Sequence, residues 1–561
     1  MSEPFYQEPP QPPGNTWVSD PFLRGYLARH LPPDVLRAAG PVLAETGRLA
    51  GGPLHDLLAS DPDAEPTLTS FDPWGKRVDR ITLTPLWTEA ARLAAELGLV
   101  ALPYEKTYGP ASRLVQFALV YLFDPSTAVY TCPLAMTDGA AKTLLRSGNA
   151  ELAARALPRL TSRDPARAWT SGQWMTEKTG GSDVATTRTV ARPEGTEWRL
   201  WGTKWFTSAT TSEMALTLAR PEGNPPGGAG LALFYLETRE ESGAPNGILI
   251  NRLKDKLGTR MVPTAEIELS GTRAVPVRGL TDGVKNITTM LNVTRTWNAV
   301  CASAGMRRAI DLAGDYAARR IAFGARLSDK PLHADTLADL EATFAGAFLL
   351  AFRTVELTGR EECGVATDHE RSLLRILTPL AKLMTGKQAV AVASEALEAF
   401  GGAGYVEDTD LPRLLRDAQV LPIWEGTTNV LSLDLLRAGA KAGGIGPVAR
   451  EIERALAPAV DPRLAPAAAR ARAAVRRAEA WLADATDRGA DAVEAGARRL
   501  ALTLGLALET ALLAEHAAWA LGEGDARPAH AAERLSRRGL DLLDGAADPC
   551  EARTLARDLS A

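Results

Sequence analysis

A single carboxylate, Glu425, lies in an apolar segment where it could carry out acid–base chemistry. The segment Arg416–Asn429 reads RDAQVLPIWEGTTN, and Pro422 and Gly426 within it favour a helix end followed by a loop that approaches a ligand. Apolar surroundings raise the pKa of a carboxyl group, because desolvation disfavours its charged form. Glu425 is therefore a candidate general base near neutral pH. On its own, such a residue is more commonly a surface glutamate in a turn.

A glycine-containing loop, Met175–Asp183, offers a second kind of chemistry. It reads MTEKTGGSD, and its glycines Gly180 and Gly181 allow the backbone to approach a ligand closely. Thr176 and Ser182 supply hydroxyl groups, and consecutive backbone N–H groups can bind an anion. The alternative is a polar loop that joins a helix to a strand.

An aromatic ring and a hydroxyl are spaced two residues apart in Lys204–Ser208, which reads KWFTS. Strand alternation places Phe206 and Ser208 on one face, where the ring could stack on a flat heterocycle and the hydroxyl could bond its edge. A core-facing aromatic residue is the commoner alternative.

Two further motifs could contact a ligand, one through an arginine and the other through a run of glycines. Arg320–Gly324 reads RIAFG and is predicted to end a helix, with an Arg320 guanidinium that matches a phosphate and Phe323 as a stacking face. An arginine favoured by the helix dipole is the alternative interpretation. Phe400–Tyr405 reads FGGAGY and predicts a glycine turn ahead of the Glu425 segment.

The elements that must position these motifs change in character along the chain. Helical spacing of apolar residues gives way to short strand-like runs separated by turns, and the helical pattern then returns. We predict an α+β fold that is mostly α-helical. Its four parts are an N-terminal segment with a helical domain (1–165), a middle β-domain (166–283), a helical domain (284–440) and a C-terminal helical extension (441–561).

The composition excludes several classes of protein. The chain has 561 residues, a net charge of −5, four cysteines and six histidines. The cysteines have no CxxC spacing, which argues against a zinc site or a disulfide framework, and we expect no metal. The N-terminus has no apolar core typical of a signal peptide, and the apolar run 500–521 contains charged residues that indicate a buried helix. We expect a cytoplasmic protein with no membrane partner.

The five motifs, taken in order, resemble the acyl-CoA dehydrogenase superfamily over about residues 85 to 440. The resemblance is closest to its AidB-like, adaptive-response branch. The features of that branch are Lys178 in place of the usual proline, Asn15–Asp20 (NTWVSD), Leu253–Arg260 (LKDKLGTR), Trp424–Arg437 and the helical extension after it.

The resemblance implies the acyl-CoA dehydrogenase-like fold, in which two helical domains flank a β-barrel or sandwich. It also implies a homotetramer with FAD in the cleft between the β-domain and the C-terminal helices. An electron-transfer flavoprotein or another acceptor would reoxidise the flavin.

Residues of the β-domain that match the family's cofactor contacts follow from the same resemblance. Met175 and Thr176 would meet the pyrimidine edge of the flavin, and Ser182 would meet the pyrophosphate. Phe206 would cover the isoalloxazine, and Ser208 would bond near its N5.

The helical regions would supply the other contacts to the cofactor. Arg320 and Phe323 would reach the FAD of a neighbouring subunit. The residues expected along the pyrophosphate, adenosine and adenine are Glu398, Gly401, Gly402, Thr427 and Asn429.

Glu425 matches the family's catalytic glutamate. The resemblance implies that Glu425 removes the α-proton of an acyl-CoA thioester while the β-hydride passes to flavin N5, giving a trans-2-enoyl product. We expect a short or branched acyl group. The nearest candidates for contacts to this substrate are Arg295, beside Trp297, and Gly426.

Two other functions stay open at this point. AidB-like proteins are associated with DNA and with weak dehydrogenase activity, and some relatives are flavin oxidases or monooxygenases. Double-stranded DNA is disfavoured as a partner, because from Arg450 onward the chain has 16 arginines and no lysine against 18 acidic residues. A solvated helix surface with ion pairs is the commoner interpretation of such a composition.

Overall fold

The computed structural model describes residues 8–543 and 549–557. Contacts between Cα atoms divide the chain into two compact units. One unit comprises Met1–Pro41, Gly109–Phe117 and Ala302–Ala561, and the other comprises Val42–Tyr108 and Ala118–Cys301. The four-part division expected from the sequence stays a prediction.

Helices dominate the chain up to residue 160, as the spacing of apolar residues predicts. Proline at the first turn and a side-chain cap start several of them, since proline has no N–H to leave unpaired and the cap accepts a hydrogen bond from an N–H of the first turn. The helices are α1 Thr16–Ser19, α2 Pro21–His30, α3 Pro33–Gly51, α4 Pro53–Ser60, α5 Pro85–Leu97, α6 Leu102–Glu105, α7 Ser112–Phe123, α8 Thr131–Ser147 and α9 Ala150–Leu160.

A hairpin that the sequence analysis did not predict interrupts this region. Its strands are β1, Thr67–Phe71, and β2, Arg77–Thr82. The side chain of Asp79 accepts a hydrogen bond from the backbone N–H of Ile250 at 2.9 Å, so the hairpin is anchored to the middle sheet.

The middle sheet confirms the predicted β-domain. Each strand-like run identified in the sequence forms a strand, and β3 is an additional one. The strands are β3 Ser171–Trp174, β4 Val190–Glu194, β5 Glu197–Ser208, β6 Met214–Pro221, β7 Ala232–Glu237, β8 Ile248–Leu253 and β9 Thr264–Pro276.

Strand pairing closes this sheet into a barrel. The order β6-β4-β5-β9-β7 returns to β6, because β6 also pairs with β7, while β3 and β8 attach to β6 and β9. The enclosed core contains Trp174, Leu200, Phe234 and Ile267. The barrel provides a rigid support for the loop that follows β3.

Helices resume at Gly283, where the sequence analysis places the boundary of the β-domain. The elements up to residue 441 are α10 Gly283–Arg319, β10 Ile321–Ala322, β11 Ala325–Arg326, α11 Pro331–Glu362, α12 Asp368–Ala399, α13 Pro412–Ala418 and α14 Thr428–Lys441. The extension consists of α15 Gly446–Leu456, α16 Ala465–Arg488, α17 Ala490–Gly522, α18 Arg527–Arg537 and α19 Pro549–Arg557.

Helix α17 contains the apolar run that the sequence analysis interprets as a buried helix. Among the described residues it alone is long and apolar enough to cross a membrane, and 83% of its most apolar window is buried inside the protein. A core helix passes the same test of length and composition, so α17 is weak evidence for a membrane span.

Candidate active site

The loop after β3 is fixed to the barrel by one carboxylate, that of Glu177. It accepts hydrogen bonds from the backbone N–H groups of Arg188 at 2.7 Å and Thr189 at 3.2 Å, and from the Thr189 hydroxyl at 2.6 Å. The buried Lys204 ammonium donates a further bond at 2.8 Å. Burial alone would raise the pKa of Glu177, but Lys204 and these hydrogen bonds lower it below its ordinary value.

Glycine is required where this loop folds back on itself. A β-carbon on Gly181 would lie 2.5 Å from Thr176 Oγ1. Met175 is buried, Thr176 is half-buried and Ser182 is exposed. The backbone N–H of Trp205 donates to the Thr176 carbonyl at 2.9 Å, which joins the loop to strand β5.

Phe206 and Ser208 both lie on the outward face of β5, as strand alternation predicts. Phe206 is 47% exposed, whereas Thr207 between them is fully buried. A β-bulge between Lys204 and Thr207 shifts the register, so that Lys204 points inward although it has the same parity as Phe206. The Ser208 hydroxyl is 3.2 Å from that of Thr264.

A lysine that the sequence analysis did not select lies over the aromatic pair of β5. Lys254 Nζ is 3.3 Å from the centroid of the Trp205 ring and 4.7 Å from that of Phe206. The same ammonium is 2.6 Å from Glu266 Oε1. Its position in the LKDKLGTR segment, directly after β8, is the signal that could have identified it.

The Glu425 segment forms turns between α13 and α14, as the proline and glycine predict. Glu425 is half-buried and has a left-handed backbone with φ of +56°, and Gly426 follows at +104°. Thr427 caps α14, because its hydroxyl accepts the backbone N–H of Val430. The raised pKa expected for Glu425 stays a prediction.

Two residues of α12 contact this segment, although no motif in the sequence analysis points to them. Lys382 is fully buried and donates to the Gly426 carbonyl at 2.6 Å. Gly386, one turn later, packs against the backbone of Leu421. Lys382 and Gly386 fall within an ordinary helical pattern, which gives no sign of their contact with residues 421–426.

The prediction for Arg320–Gly324 is corrected in one respect. Helix α10 ends at Arg319, and the motif forms the first strand and turn of the short hairpin β10–β11. Phe323 lies at the tip with φ of +51° and is 96% exposed. A strand of two residues is too short to show an alternating pattern of apolar and polar residues. The sequence therefore predicts only the end of a helix here.

The other predicted contacts in this unit are exposed. Glu398 lies in the last turn of α12, and Gly401 and Gly402 begin the 3₁₀ helix that follows. Asn429 lies at the start of α14, and Arg498 of α17 donates to its Oδ1 at 3.5 Å. The extension thus reaches the segment that contains Glu425.

Arg295 lies half-buried on α10, near a network that fixes Trp297. The Trp297 indole donates to Asp138 Oδ2 at 2.8 Å, and the Tyr104 hydroxyl donates to Asp138 Oδ1 at 2.8 Å. Trp297 is buried. Trp297 is therefore held in place two residues after Arg295, the predicted substrate residue.

Taken unit by unit, the structure brings part of the predicted set together. In one unit, Thr176 lies next to β5, which carries Phe206 and Ser208. In the other unit, the residues from Glu425 to Asn429 form one continuous segment.

Family models match four consecutive parts of the chain. The matching descriptions are the adaptive response protein AidB N-terminal domain at residues 6–165, the acyl-CoA dehydrogenase middle domain at 172–272, the acyl-CoA dehydrogenase C-terminal domain at 281–440 and the acyl-CoA dehydrogenase 11 C-terminal domain-like model at 448–555.

Similar proteins agree with these matches. Acyl-CoA dehydrogenase family member 11 of Caenorhabditis elegans is 43% identical, with 90% of this chain and 84% of the relative covered. Putative acyl-CoA dehydrogenase AidB of Escherichia coli is 32% identical, and the match covers 68% of this chain and 70% of the relative. The crystal structure of C. elegans ACDH-11 in complex with C11-CoA superposes with a TM-score of 0.93 at 40% sequence identity. The match covers 96% of this chain and 94% of that chain.

The chain therefore belongs to the acyl-CoA dehydrogenase family, whose members are oxidoreductases that act on CH–CH bonds of acyl-CoA. Within that family, the AidB N-terminal domain and the helical extension confirm the AidB-like resemblance seen in the sequence.

Proposed function

We propose that this chain is an FAD-dependent acyl-CoA dehydrogenase that introduces a trans double bond between C2 and C3 of an acyl-CoA thioester. The observation that carries the proposal is Glu425, a half-buried carboxylate held in a left-handed loop at the start of α14. Its segment lies in the part of the chain that matches the acyl-CoA dehydrogenase C-terminal domain.

The β-domain has features that fit a flavin. The exposed ring of Phe206 and the hydroxyl of Ser208 occupy one strand face, so they offer a stacking surface beside a hydrogen-bonding group. The loop with Gly180 and Gly181 is joined to this strand by the bond from Trp205 to Thr176, and its glycines would let the backbone approach an anionic group of the cofactor closely. Bound FAD would supply the acceptor for the β-hydride at its N5.

Glu425 would act on the substrate as the general base. The α-proton of a thioester is weakly acidic, and an apolar environment keeps the carboxylate basic enough to remove it. The backbone N–H of Glu425 would donate to the thioester carbonyl and stabilise the negative charge that develops on its oxygen. Lys382 and Gly386 would keep the segment in place during this step.

The range of acyl groups that the protein accepts is tested with a panel of substrates. The family resemblance leads us to expect a short or branched acyl group. The relative ACDH-11 has been crystallised with C11-CoA, whose acyl group is longer. A panel of acyl-CoAs must therefore extend from four to about twelve carbons and include branched members. An electron-transfer flavoprotein is the proposed electron acceptor.

The arginines of the extension weigh against DNA as a partner. Most of them form ion pairs with acidic side chains, so few positive charges are left to neutralise phosphates. The pairs include Arg470–Glu533, Arg472–Glu453, Arg488–Asp484, Arg534–Asp335 and Arg537–Glu533.

The direct test replaces Glu425 by glutamine. We expect Glu425→Gln to retain FAD but to reduce its flavin about 10²- to 10⁴-fold more slowly with an acyl-CoA that bleaches the wild type, because the amide cannot accept the α-proton. Stopped-flow absorbance under anaerobic conditions measures this rate. Glu479→Gln, an exposed substitution on α16, is the matched control. Flavin reduction at the wild-type rate in Glu425→Gln would show that Glu425 is not the base.

A further inference from the structure

The backbone of the Glu425 segment has a conformation that the rest of the molecule must maintain. Glu425 has φ of +56°, a region that non-glycine residues rarely adopt because the β-carbon crowds the backbone. Backbone hydrogen bonds within the preceding turns reach as far as Trp424, whose N–H donates to the Val420 carbonyl at 3.1 Å. Contacts from a neighbouring element add to these turns on both sides of Glu425.

Helix α12 supplies these contacts from one of its faces. Lys382 Nζ donates to the Gly426 carbonyl at 2.6 Å, directly after Glu425. A β-carbon added to Gly386 would lie 3.0 Å from the Leu421 carbonyl oxygen, so only glycine allows this approach without displacement. Because Lys382 and Gly386 are four residues apart, they share a face of the helix and hold both ends of the segment.

The bond from Lys382 is of a strong kind. The donor is an ammonium group and the whole side chain is 0% exposed, so bulk water does not compete for the Gly426 carbonyl. The bond also brings a positive charge to the peptide group that follows Glu425.

The opposite face of α12 is held by the C-terminal extension. Met384 and Gln388 lie about 200° around the helix from Lys382 and Gly386. Met384 packs on Gly505 of α17, where an added β-carbon would lie 2.4 Å from the Met384 sulfur, and Gln388 donates to Glu509 at 2.8 Å. Helix α12 is thus fixed between α17 and the Glu425 segment.

We propose that Lys382 is a positioning residue that holds Glu425 in its reactive conformation, with the extension supporting it through α12. The proposal rests on the proposed function, since it assigns to Lys382 a role in the reaction of the same site. A positioning role for Lys382 also predicts that residues 420–429 become less ordered when Lys382 is replaced. This effect does not depend on which substrate the protein uses.

The test compares Lys382→Met with the wild-type holoenzyme. Methionine keeps most of the length and removes the donor and the charge. We expect amide hydrogen exchange in peptides covering 420–429 to become at least about tenfold faster, because the bond to Gly426 is lost. At saturating acyl-CoA, flavin reduction should slow by a similar factor. The acyl-CoA concentration that gives half of the maximal rate should stay close to the wild-type value, because the fully buried Lys382 side chain is not available to bind the substrate.

Two further variants separate positioning from general destabilisation. Thr385→Val removes a hydrogen bond inside α12, from Thr385 to Ala381, and should leave exchange in 420–429 unchanged. Gly386→Ala pushes on the segment without altering any charge, so it should speed exchange there and slow flavin reduction. It also provides the test if Lys382→Met does not fold.

The outcomes distinguish this inference from the proposed function. If no acyl-CoA bleaches the wild-type flavin, the proposed function fails, whereas exchange in 420–429 still decides whether Lys382 holds the segment. Unchanged exchange in both Lys382→Met and Gly386→Ala would overturn the inference. So would a Lys382→Met enzyme whose flavin reduction at saturating acyl-CoA is as fast as that of the wild type.

Discussion

Glu425 combines two properties that a glutamate on an ordinary surface turn does not need. Its backbone is left-handed, and a buried ammonium group is bonded to the carbonyl of the next residue. Strained backbone is maintained only where the surroundings determine it, and such residues concentrate at functional sites. At the scale of single residues, this conformation is a stronger reason to select Glu425 than its sequence neighbours.

The buried pair Glu177–Lys204 leads to a prediction about stability. Glu177→Ala would leave the Lys204 ammonium buried without its carboxylate, at a cost of about 3–5 kcal/mol in the free energy of unfolding. Urea denaturation measures this cost. The double variant Glu177→Ala/Lys204→Met should recover part of it, because no unpaired charge remains.

An exposed pair on the same sheet provides the control for this prediction. Glu194 of β4 pairs with Arg199, and Glu194→Ala should cost at most about 1 kcal/mol because solvent screens the pair. A loss below about 1 kcal/mol in Glu177→Ala would contradict the account of the loop after β3.

At the scale of elements, α17 carries a buried acid against α12. Burial raises the pKa of Glu509 to about 8, with the Gln388 hydrogen bond opposing the rise. Oε1 of Glu509 and Oε1 of Gln388 have no hydrogen-bond partner among the described residues. The neutral acid suits this site, because burial disfavours the charged carboxylate.

The raised pKa of Glu509 predicts a stability that depends on pH. Since the folded state holds the proton more tightly than the unfolded state, the contribution is complete below the ordinary glutamate pKa and is lost as pH rises towards 8. Glu509→Gln should remove this loss, so that the variant becomes more stable than the wild type by a few kcal/mol at pH 9, at about 1.4 kcal/mol per pKa unit.

Urea denaturation at a series of pH values between 5 and 9 measures this difference. Glu523→Gln, at an exposed position just after α17, should follow the wild-type curve. Parallel curves for the wild type and Glu509→Gln would mean that Glu509 does not hold a proton in the folded state.

Most elements could be predicted from the sequence because their signals are local. Periodic apolar residues predict the long helices, and alternation bounded by turns predicts six strands of the barrel. The motifs around Glu425, Phe206 and Gly181 were also visible, because their residue types are unusual in their settings.

The elements that escaped prediction depend on contacts distant in sequence. The hairpin β1–β2 is anchored by Asp79 to Ile250, and the bulge in β5 is set by its pairing with β9. Lys204 and Lys382 resemble ordinary lysines until the fold buries them. Their roles follow from the partners that the fold brings to them, which local patterns do not encode.

At the scale of the whole molecule, exposed aromatic side chains indicate where copies of the chain could meet. Phe323 is 96% exposed and Tyr405 is 90% exposed, and both belong to motifs that carry the family resemblance. Aromatic residues are common in protein–protein contacts, so Phe323 and Tyr405 are candidates for the contacts of the homotetramer expected from the family resemblance.

Phe323→Glu tests the assembly. We expect the wild type to sediment as a tetramer and the variant to dissociate, because a charge replaces the ring in the contact; analytical ultracentrifugation measures both. Ser242→Glu is the control, since it adds the same charge at an exposed polar position between β7 and β8. A monomeric wild type would contradict the proposed tetramer.

The most direct test of the central claim is the flavin absorbance of the purified protein under anaerobic conditions, as acyl-CoAs from four to about twelve carbons are added. If the chain is an acyl-CoA dehydrogenase with Glu425 as its base, the visible band bleaches with at least one class of acyl-CoA and does so far more slowly in Glu425→Gln. If the protein binds FAD and no acyl-CoA bleaches it, the proposed dehydrogenation is contradicted.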